Sequence, residues 1–302
     1  MPEAREKYVN LFTDYAFKKL FGEEPNKAFL LDFLNELLQE EQGKIVDLTY
    51  LKTEQLGKTE LDKRAIFDLY CENEKGEKFV VEMQKNKHKF FKDRSLYYST
   101  FPIQEQRKNS NRDYELKAVY VIGILDFVFD SKKLNGEKYR RDIKLQDIET
   151  NKTFYDKLTF IYLEMPKFNK TIDQLVTRFD KWLYILKNIS ALDRLPDKLQ
   201  EEIFERFFEE AEIAKFTREE YTSYEDSLKF YRDMNSTIGA AFDDGEKKGE
   251  KKGEKKGREE GMKKGMEKVA KQMLKEKESL EKISKFTGLT ITQIEKLKNH
   301  EI

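Results

Sequence analysis

Residues 65–72 (AIFDLYCE) and 78–85 (KFVVEMQK) are two runs of β-branched, aromatic and aliphatic residues, and Asn73, Glu74, Lys75 and Gly76 between them supply turn chemistry. This pattern constrains the fold more than any other in the chain, because it predicts a β-hairpin and also its register. Centred on Lys75, an antiparallel pairing sets residue 68 opposite 82, 70 opposite 80 and 66 opposite 84, and opposed residues share a face. The other face then carries Phe67, Leu69, Cys71, Phe79, Val81 and Met83, all apolar. A slip of one residue would mix the two sets, so burial of the apolar face selects the pairing that brings Asp68 and Glu82 together. The mixed face holds Ile66, Asp68, Tyr70, Val80, Glu82 and Gln84.

Two carboxylates about 5 Å apart repel unless something positive sits between them, and a hard cation such as Mg²⁺ is held by one or two carboxylates with water and substrate phosphate. Such an ion polarises a phosphate and lowers the pKa of an attacking water. Gln84, on the same face as Glu82, can orient water or phosphate through its amide but cannot ionise. An amphipathic hairpin with a merely solvated polar face also fits this spacing.

The rest of the chain gives an order of elements. Residues 26–39 read as a helix with Phe29, Leu30, Phe33, Leu34, Leu37 and Leu38 on one stripe, and residues 45–51 as a first strand. Residues 90–106 are helical in pattern, with Pro102 expected to kink or end the helix. Residues 118–125 (AVYVIGIL) read as a strand buried on both faces, and further strands are expected near 139–145 and 158–164. Arg94 and Tyr98 fall on the helix after the acidic strand, where a guanidinium can clasp phosphate and a ring can stack on a base, whereas Tyr97 and Phe101 read as core. Residues 171–242 are helical, with Trp182, Leu183, Ile185, Leu186 and Ile189 as one stripe and Ile203, Phe204, Phe207 and Phe208 as another.

The formal net charge of zero over 302 residues predicts no global attraction to nucleic acid, so phosphate binding falls to local clusters. The best is the run 85–94 (KNKHKFFKDR), beginning at Lys85, which also fits a solvated loop. Two His and one Cys give poor support to a structural zinc site, a disulfide framework or a His-based triad, and Cys71 reads as a core residue. The first ten residues lack an apolar segment and the longest apolar run is too short for a bilayer, so no membrane association and a cytoplasmic location are expected.

From 245 to 265 the chain becomes a tetrapeptide repeat, GEKKGEKKGEKKGREEGMKKG. Glycine every fourth residue costs about 1 kcal/mol each in a helix, so a mobile or weakly helical linker is expected. Beyond it, ISKFTGLTITQIEKL (283–297) resembles a helix-turn-helix, with Thr290 and Gln293 as a capping box and Ile283, Phe286, Leu289, Ile294 and Leu297 as its small core. Only Lys296 and Lys298 make its third helix basic, which favours a protein partner or self-association over DNA readout.

Four ordered stretches carry a family likeness: FTDYAFKKLFG (12–22); Asp68 with Gly76 and VEMQ (81–84); RSLYY (94–98); and YLEMPKF (162–168). Together they resemble the recombination-promoting nuclease group, the PD-(D/E)XK nuclease family transposases, over a little more than half of the chain. The resemblance implies an α/β class of fold, a mixed α+β sheet flanked by helices with a restriction-endonuclease-like core, whose order of helix, three strands, helix and strand matches the elements above. It implies an endonuclease that hydrolyses DNA in recombination, mobile-element or phage-defence settings, with Asp68 and Glu82 as ligands of Mg²⁺ or Mn²⁺. Gln84 stands where the wider superfamily usually has Lys, and Phe67 where the superfamily's name would put Pro. In many of its nucleases an acidic residue of the first helix joins the metal site, and Asp14 is in that place. An ion pair between Asp14 and Lys18, one turn apart, is the plainer reading, and Lys18 could instead contact phosphate. The missing Lys removes a charge that could stabilise the transition state. A catalytically weak adaptor of the same fold, binding nucleic acid or protein, is therefore the alternative to the nuclease. The expected organisation is a nuclease-like domain over 1–170, a helical extension over 171–243, a linker over 244–266 and a small helical module over 267–302.

Overall fold

The computed structural model describes residues 6–39, 43–55, 65–87, 89–109, 115–129 and 136–299. The chain divides into two compact units, residues 1–233 and 234–302. The strands described in the first unit are β1 (Leu48–Tyr50), β2 (Glu54–Gln55), β3 (Ala65–Ile66), β4 (Leu69–Asn73), β5 (Lys78–Gln84), β6 (Val119–Leu125), β7 (Arg140–Gln146) and β8 (Thr153–Glu164). Six of them form one mixed sheet in the order β1-β4-β5-β6-β8-β7, while β2 and β3 pair separately. Antiparallel pairs lie towards its edges, and β5, β6 and β8 run parallel at its centre. β6 is buried along its whole length, as its unbroken apolar sequence requires.

The hairpin has the register that its apolar face specifies. Leu69 lies opposite Val81, Tyr70 opposite Val80 and Cys71 opposite Phe79. Pairing stops there, one position short of Asp68, because the preceding residues turn to another partner: Ile66 pairs with Glu54, and the Phe67 amide donates to the Thr53 carbonyl at 3.1 Å. Two expectations therefore fail. Ile66 is not opposite Gln84, and Phe67 does not join the face of Leu69 and Cys71. The bend at Asp68 carries the Phe67 ring to the opposite side, where it packs with Tyr70, Val80, Tyr98 and Phe101.

The helices are α1 (Asp14–Gly22), α2 (Lys27–Leu38), α3 (Phe91–Asn109), α4 (Arg178–Asn188), α5 (Glu202–Glu210) and α6 (Arg218–Lys275), followed by α7 (Leu280–Thr287) and α8 (Ile291–Asn299). Thr13 caps α1, its hydroxyl accepting from the Ala16 amide at 3.3 Å. The apolar stripes of α1, α2, α4 and α5 share one core with Leu69, Cys71, Phe79, Val81 and Met83. At its centre Trp182 is 5.0 Å from Phe204, 5.2 Å from Phe207 and 5.8 Å from Phe21, while its indole N–H donates to Asp32 at 2.7 Å. Residues 171–233 thus complete the core of the first unit. At Gly22 an added Cβ would lie 2.7 Å from the Leu69 side chain, so a larger residue there would require Leu69 to shift.

α3 lies against the other face and runs through Pro102, so of the two expected effects of the proline the early end does not occur. Packing on both sides of the proline offsets the lost backbone bond: Tyr98 and Phe101 join the Phe67 cluster, and Ile103 packs on Val119 and Val121.

In the second unit the repeat 245–265 is helical and exposed, with no atom within 4 Å of a Cβ built on any of its glycines. Of the two expected states, mobile or weakly helical, the segment takes the helical one, which the residues between the glycines favour. Lys and Glu are strong helix formers, and Lys247 with Glu250 and Lys251 with Glu254 stand at i,i+3 with opposite charges. Ala270, Ile283, Leu289 and Ile294 make the small core beyond it, with Leu297 partly buried. The Thr290–Gln293 capping box forms, but Phe286 is 71% exposed and leaves the expected core.

Candidate active site

The site is built where the hairpin ladder ends. Asp68 sits in the bend before β4, half-buried, and Glu82 on β5 is buried. Each carboxylate takes a backbone N–H from the other strand: the Met83 amide donates to Asp68 at 2.8 Å, and the Asp68 amide donates to Glu82 at 3.2 Å. This reciprocal clasp stands where the next rung of the ladder would be and fixes both acids on the rim of the sheet.

Burial raises the Asp68 pKa, with the nearby negative charge of Asp14 adding to it and the bond from Met83 opposing it. Glu82 is pushed well above the usual carboxylate range, first by burial and then by the charge of Asp68, with Arg94 acting against both. Two acids in this state hold protons at a pH where exposed carboxylates do not, or they hold a cation.

Arg94 arrives from the first turns of α3. Its guanidinium lies 5.5 Å over the Phe91 ring and 5.6 Å over the Tyr98 ring and donates to the amide oxygen of Gln84. The Gln84 nitrogen donates in turn to the Asn86 carbonyl at 3.1 Å. The close approach of α3 depends on Gly123, which lies beside Glu82 on β6. A Cβ built there would meet Tyr162 at 3.0 Å and Phe91 at 3.4 Å.

On the α1 side a cleft of about 530 Å³ is lined by Asp14, Lys18, Lys19, Tyr50, Thr53, Asp68 and Tyr70, with Ser223 and Ser227 from α6. Asp14 reaches this cleft but is paired with Lys18 at 3.0 Å, the plainer of the two readings of that pair. Lys85 is half-buried, and burial depresses its pKa against the pull of Asp14 and Asp68. Tyr98 is not presented for stacking: its ring packs on Phe67 at 5.1 Å, and Tyr97 is the more exposed of the two. In the basic run, Lys87, Lys89 and Lys92 are exposed, and His88 lies outside the described residues.

Among the described residues no group of three or more His, Cys, Asp or Glu gathers into a metal cage. The donor set is two carboxylates beside an open polar cleft, which suits a hard ion that keeps its waters and takes its remaining ligands from substrate; it does not suit a fully caged metal. A family model described as PD-(D/E)XK nuclease family transposase matches residues 11–241. The chain belongs to that family. No curated protein and no solved structure matches it. The PD-(D/E)XK assignment agrees with the mixed sheet and flanking helices, and it supports a nuclease-like function.

Several neighbours of the site escape sequence reasoning. Ser227 accepts from the Tyr15 amide at 3.2 Å across more than two hundred residues, and Lys19 pairs with Glu220. No periodicity announces contacts at such separation. Gly123 carried one signal, a lone glycine within an apolar strand, which marks a close approach.

Proposed function

We propose that this protein is a divalent-metal-dependent endonuclease that hydrolyses phosphodiester bonds of DNA. The observation that carries this reading is the facing pair of carboxylates, Glu82 buried and Asp68 half-buried, each held by the other's strand and both displaced upward in pKa. Asp68 and Glu82 would hold Mg²⁺ or Mn²⁺, which when bound polarises the phosphate and acidifies a water. Gln84 positions rather than ionises, and the cation that a lysine would bring comes from Arg94, resting on its amide oxygen. That guanidinium faces the negative charge that develops on phosphorus-bound oxygen. Lys85 and Lys18, one partly buried and one on the cleft, hold the backbone on either side. Asp14 keeps Lys18 oriented through their ion pair and adds negative charge near the metal side of the cleft. The setting we infer is recombination, mobile-element or phage-defence biology, for which the family's description as transposases is the support. The module of α7 and α8, with its few lysines, suits self-association or a protein partner.

The alternative, an adaptor that binds without cutting, rests on the amide at position 84. Nicking of supercoiled plasmid with and without Mg²⁺, by wild type and Asp68→Ala, separates the two readings. The nuclease reading expects metal-dependent nicking by wild type and a loss of at least a hundredfold in the variant, with RNA as a second substrate arm. Equal nicking by both proteins, or none by a folded wild type, defeats it.

A further inference from the structure

A second basin lies on the same face of the sheet as Glu82. Register places Glu82, Gly123, Tyr162 and Arg141 side by side on β5, β6, β8 and β7. Neighbouring strands are about 4.8 Å apart, so Tyr162 stands roughly 10 Å from Glu82 along this row, the reach of one or two nucleotides. α3 begins over Gly123 and forms a ridge across the row. At 100° per residue, Arg94 and Tyr98 fall on the flank towards Glu82, and Lys92 and Leu96 on the opposite flank.

Beyond the ridge is a cavity of about 520 Å³ with Phe129, Phe160 and Tyr162 in its wall. The rings of Phe160 and Tyr162 are nearly parallel, 28° apart with centroids at 6.4 Å, and Phe129 meets Tyr162 edge-on at 5.3 Å. Lys92, Lys138, Arg140 and Arg141 surround these rings, with Asp142 the one acidic residue among the lining. The wall is fixed from behind by fully buried Glu164, which accepts from the Phe129 amide at 2.7 Å and from Arg141 at 2.9 Å. Glu164 belongs to the fourth sequence stretch that carried the family likeness, YLEMPKF, which the catalytic rim does not use.

An apolar slot with flat rings and a cationic lip matches a ligand that is itself a flat ring joined to an anion. Within a duplex the base faces are stacked and closed, so only an unpaired or extruded nucleotide presents one. Resting on the nuclease reading, we propose that this basin takes one unpaired nucleotide of the substrate strand, its base against Phe160 and the edge of Tyr162 and its phosphate near Lys92 and Lys138. The enzyme therefore prefers single-stranded or locally opened DNA beside the point of cleavage.

The test is fluorescence anisotropy with the full chain in EDTA, using a labelled 20-mer as a single strand, as a blunt duplex and as a duplex with one bulged base. Wild type is expected to bind the single strand and the bulged duplex at least tenfold more tightly than the blunt duplex. Phe160→Ala and Lys138→Glu each lose about tenfold on the single strand and change blunt-duplex binding less than twofold. Lys138 is exposed, so its variant keeps the test valid should Phe160→Ala fail to fold. Deoxyadenosine monophosphate at the same nucleotide concentration should not displace the strand. Displacement by the mononucleotide, or single-strand binding unchanged in the folded variants, overturns the proposal. Plasmid nicking run alongside keeps the two readings apart: metal-dependent nicking with unaltered single-strand binding in both variants removes the basin alone, and variant-sensitive binding without nicking by wild type removes the nuclease alone.

Discussion

Replacing Glu82 by Gln should stabilise the metal-free protein, although it removes a residue that we place in the site. Glu82 is 8% exposed, beside Asp68, and receives the Asp68 amide at 3.2 Å. Two ionised carboxylates about 5 Å apart repel by roughly 3 kcal/mol at an effective dielectric constant of about 20, and Arg94 cancels part of this. Glutamine keeps the volume and the accepting oxygen while removing the charge. The expected gain is about 1–3 kcal/mol near pH 8 in EDTA, a rise of roughly 2–10 °C in Tm for a unit of this size. Its pH dependence follows from the raised Glu82 pKa. In the ordinary carboxylate range and above it, the native state keeps a proton that the unfolded chain has released, so wild-type stability falls as pH climbs through the raised value. The difference between variant and wild type should therefore vanish near pH 4 and widen with increasing pH. Adding Mg²⁺ should raise the wild-type Tm at pH 8 and move the variant less. Thermal melts at both pH values decide the matter: a Glu82→Gln protein that melts at or below wild type near pH 8 in EDTA refutes the idea of a strained acid pair.

Gln84→Lys, which restores the superfamily's usual residue, should lower nicking at least tenfold, because it removes the amide oxygen on which Arg94 rests and sets a like charge beside the guanidinium; faster nicking would show that Arg94 does not stand in for the lysine. Gly123→Ala should cost about 1–3 kcal/mol in urea unfolding and reduce nicking as well, since its Cβ meets Tyr162 at 3.0 Å and pushes against the first turn of α3. Trp182→Ala should cost about 3–5 kcal/mol by opening the aromatic core and leaving Asp32 without its indole partner; a loss below about 1 kcal/mol in chemical denaturation contradicts that packing.

The hairpin was legible because its two faces differ in kind: burial of Leu69, Cys71, Phe79, Val81 and Met83 leaves one register, and that register also places Asp68 near Glu82. What the alternation could not convey was where the ladder ends. The bend at Asp68 is imposed by pairing of residues 65–67 with 53–55, a choice between competing partners that no local pattern records. Whether α3 ends at Pro102 or continues is undecided locally for a related reason, since the proline's local penalty is set against packing by Phe101 and Ile103 on strands distant in the chain. In the repeat, glycines that disfavour a helix alternate with lysines and glutamates that favour it, so composition alone leaves the balance open. Arg94 stands out in the sequence as a candidate for phosphate, but its rest on Gln84 does not, because that bond needs the start of α3 to sit over Gly123.

Cys71 is the chain's single cysteine, fully buried where β4 meets the helical core, with burial pushing its thiol up to about 12. A thiol in that state reacts with alkylating reagents only when the core opens. The native sequence therefore carries its own unfolding clock. The rate at which an alkylating reagent marks this one sulfur measures how often the hairpin parts from α1 and α2. Slowing of that rate by Mg²⁺ or by an oligonucleotide would report binding at the rim with no label, mutation or turnover.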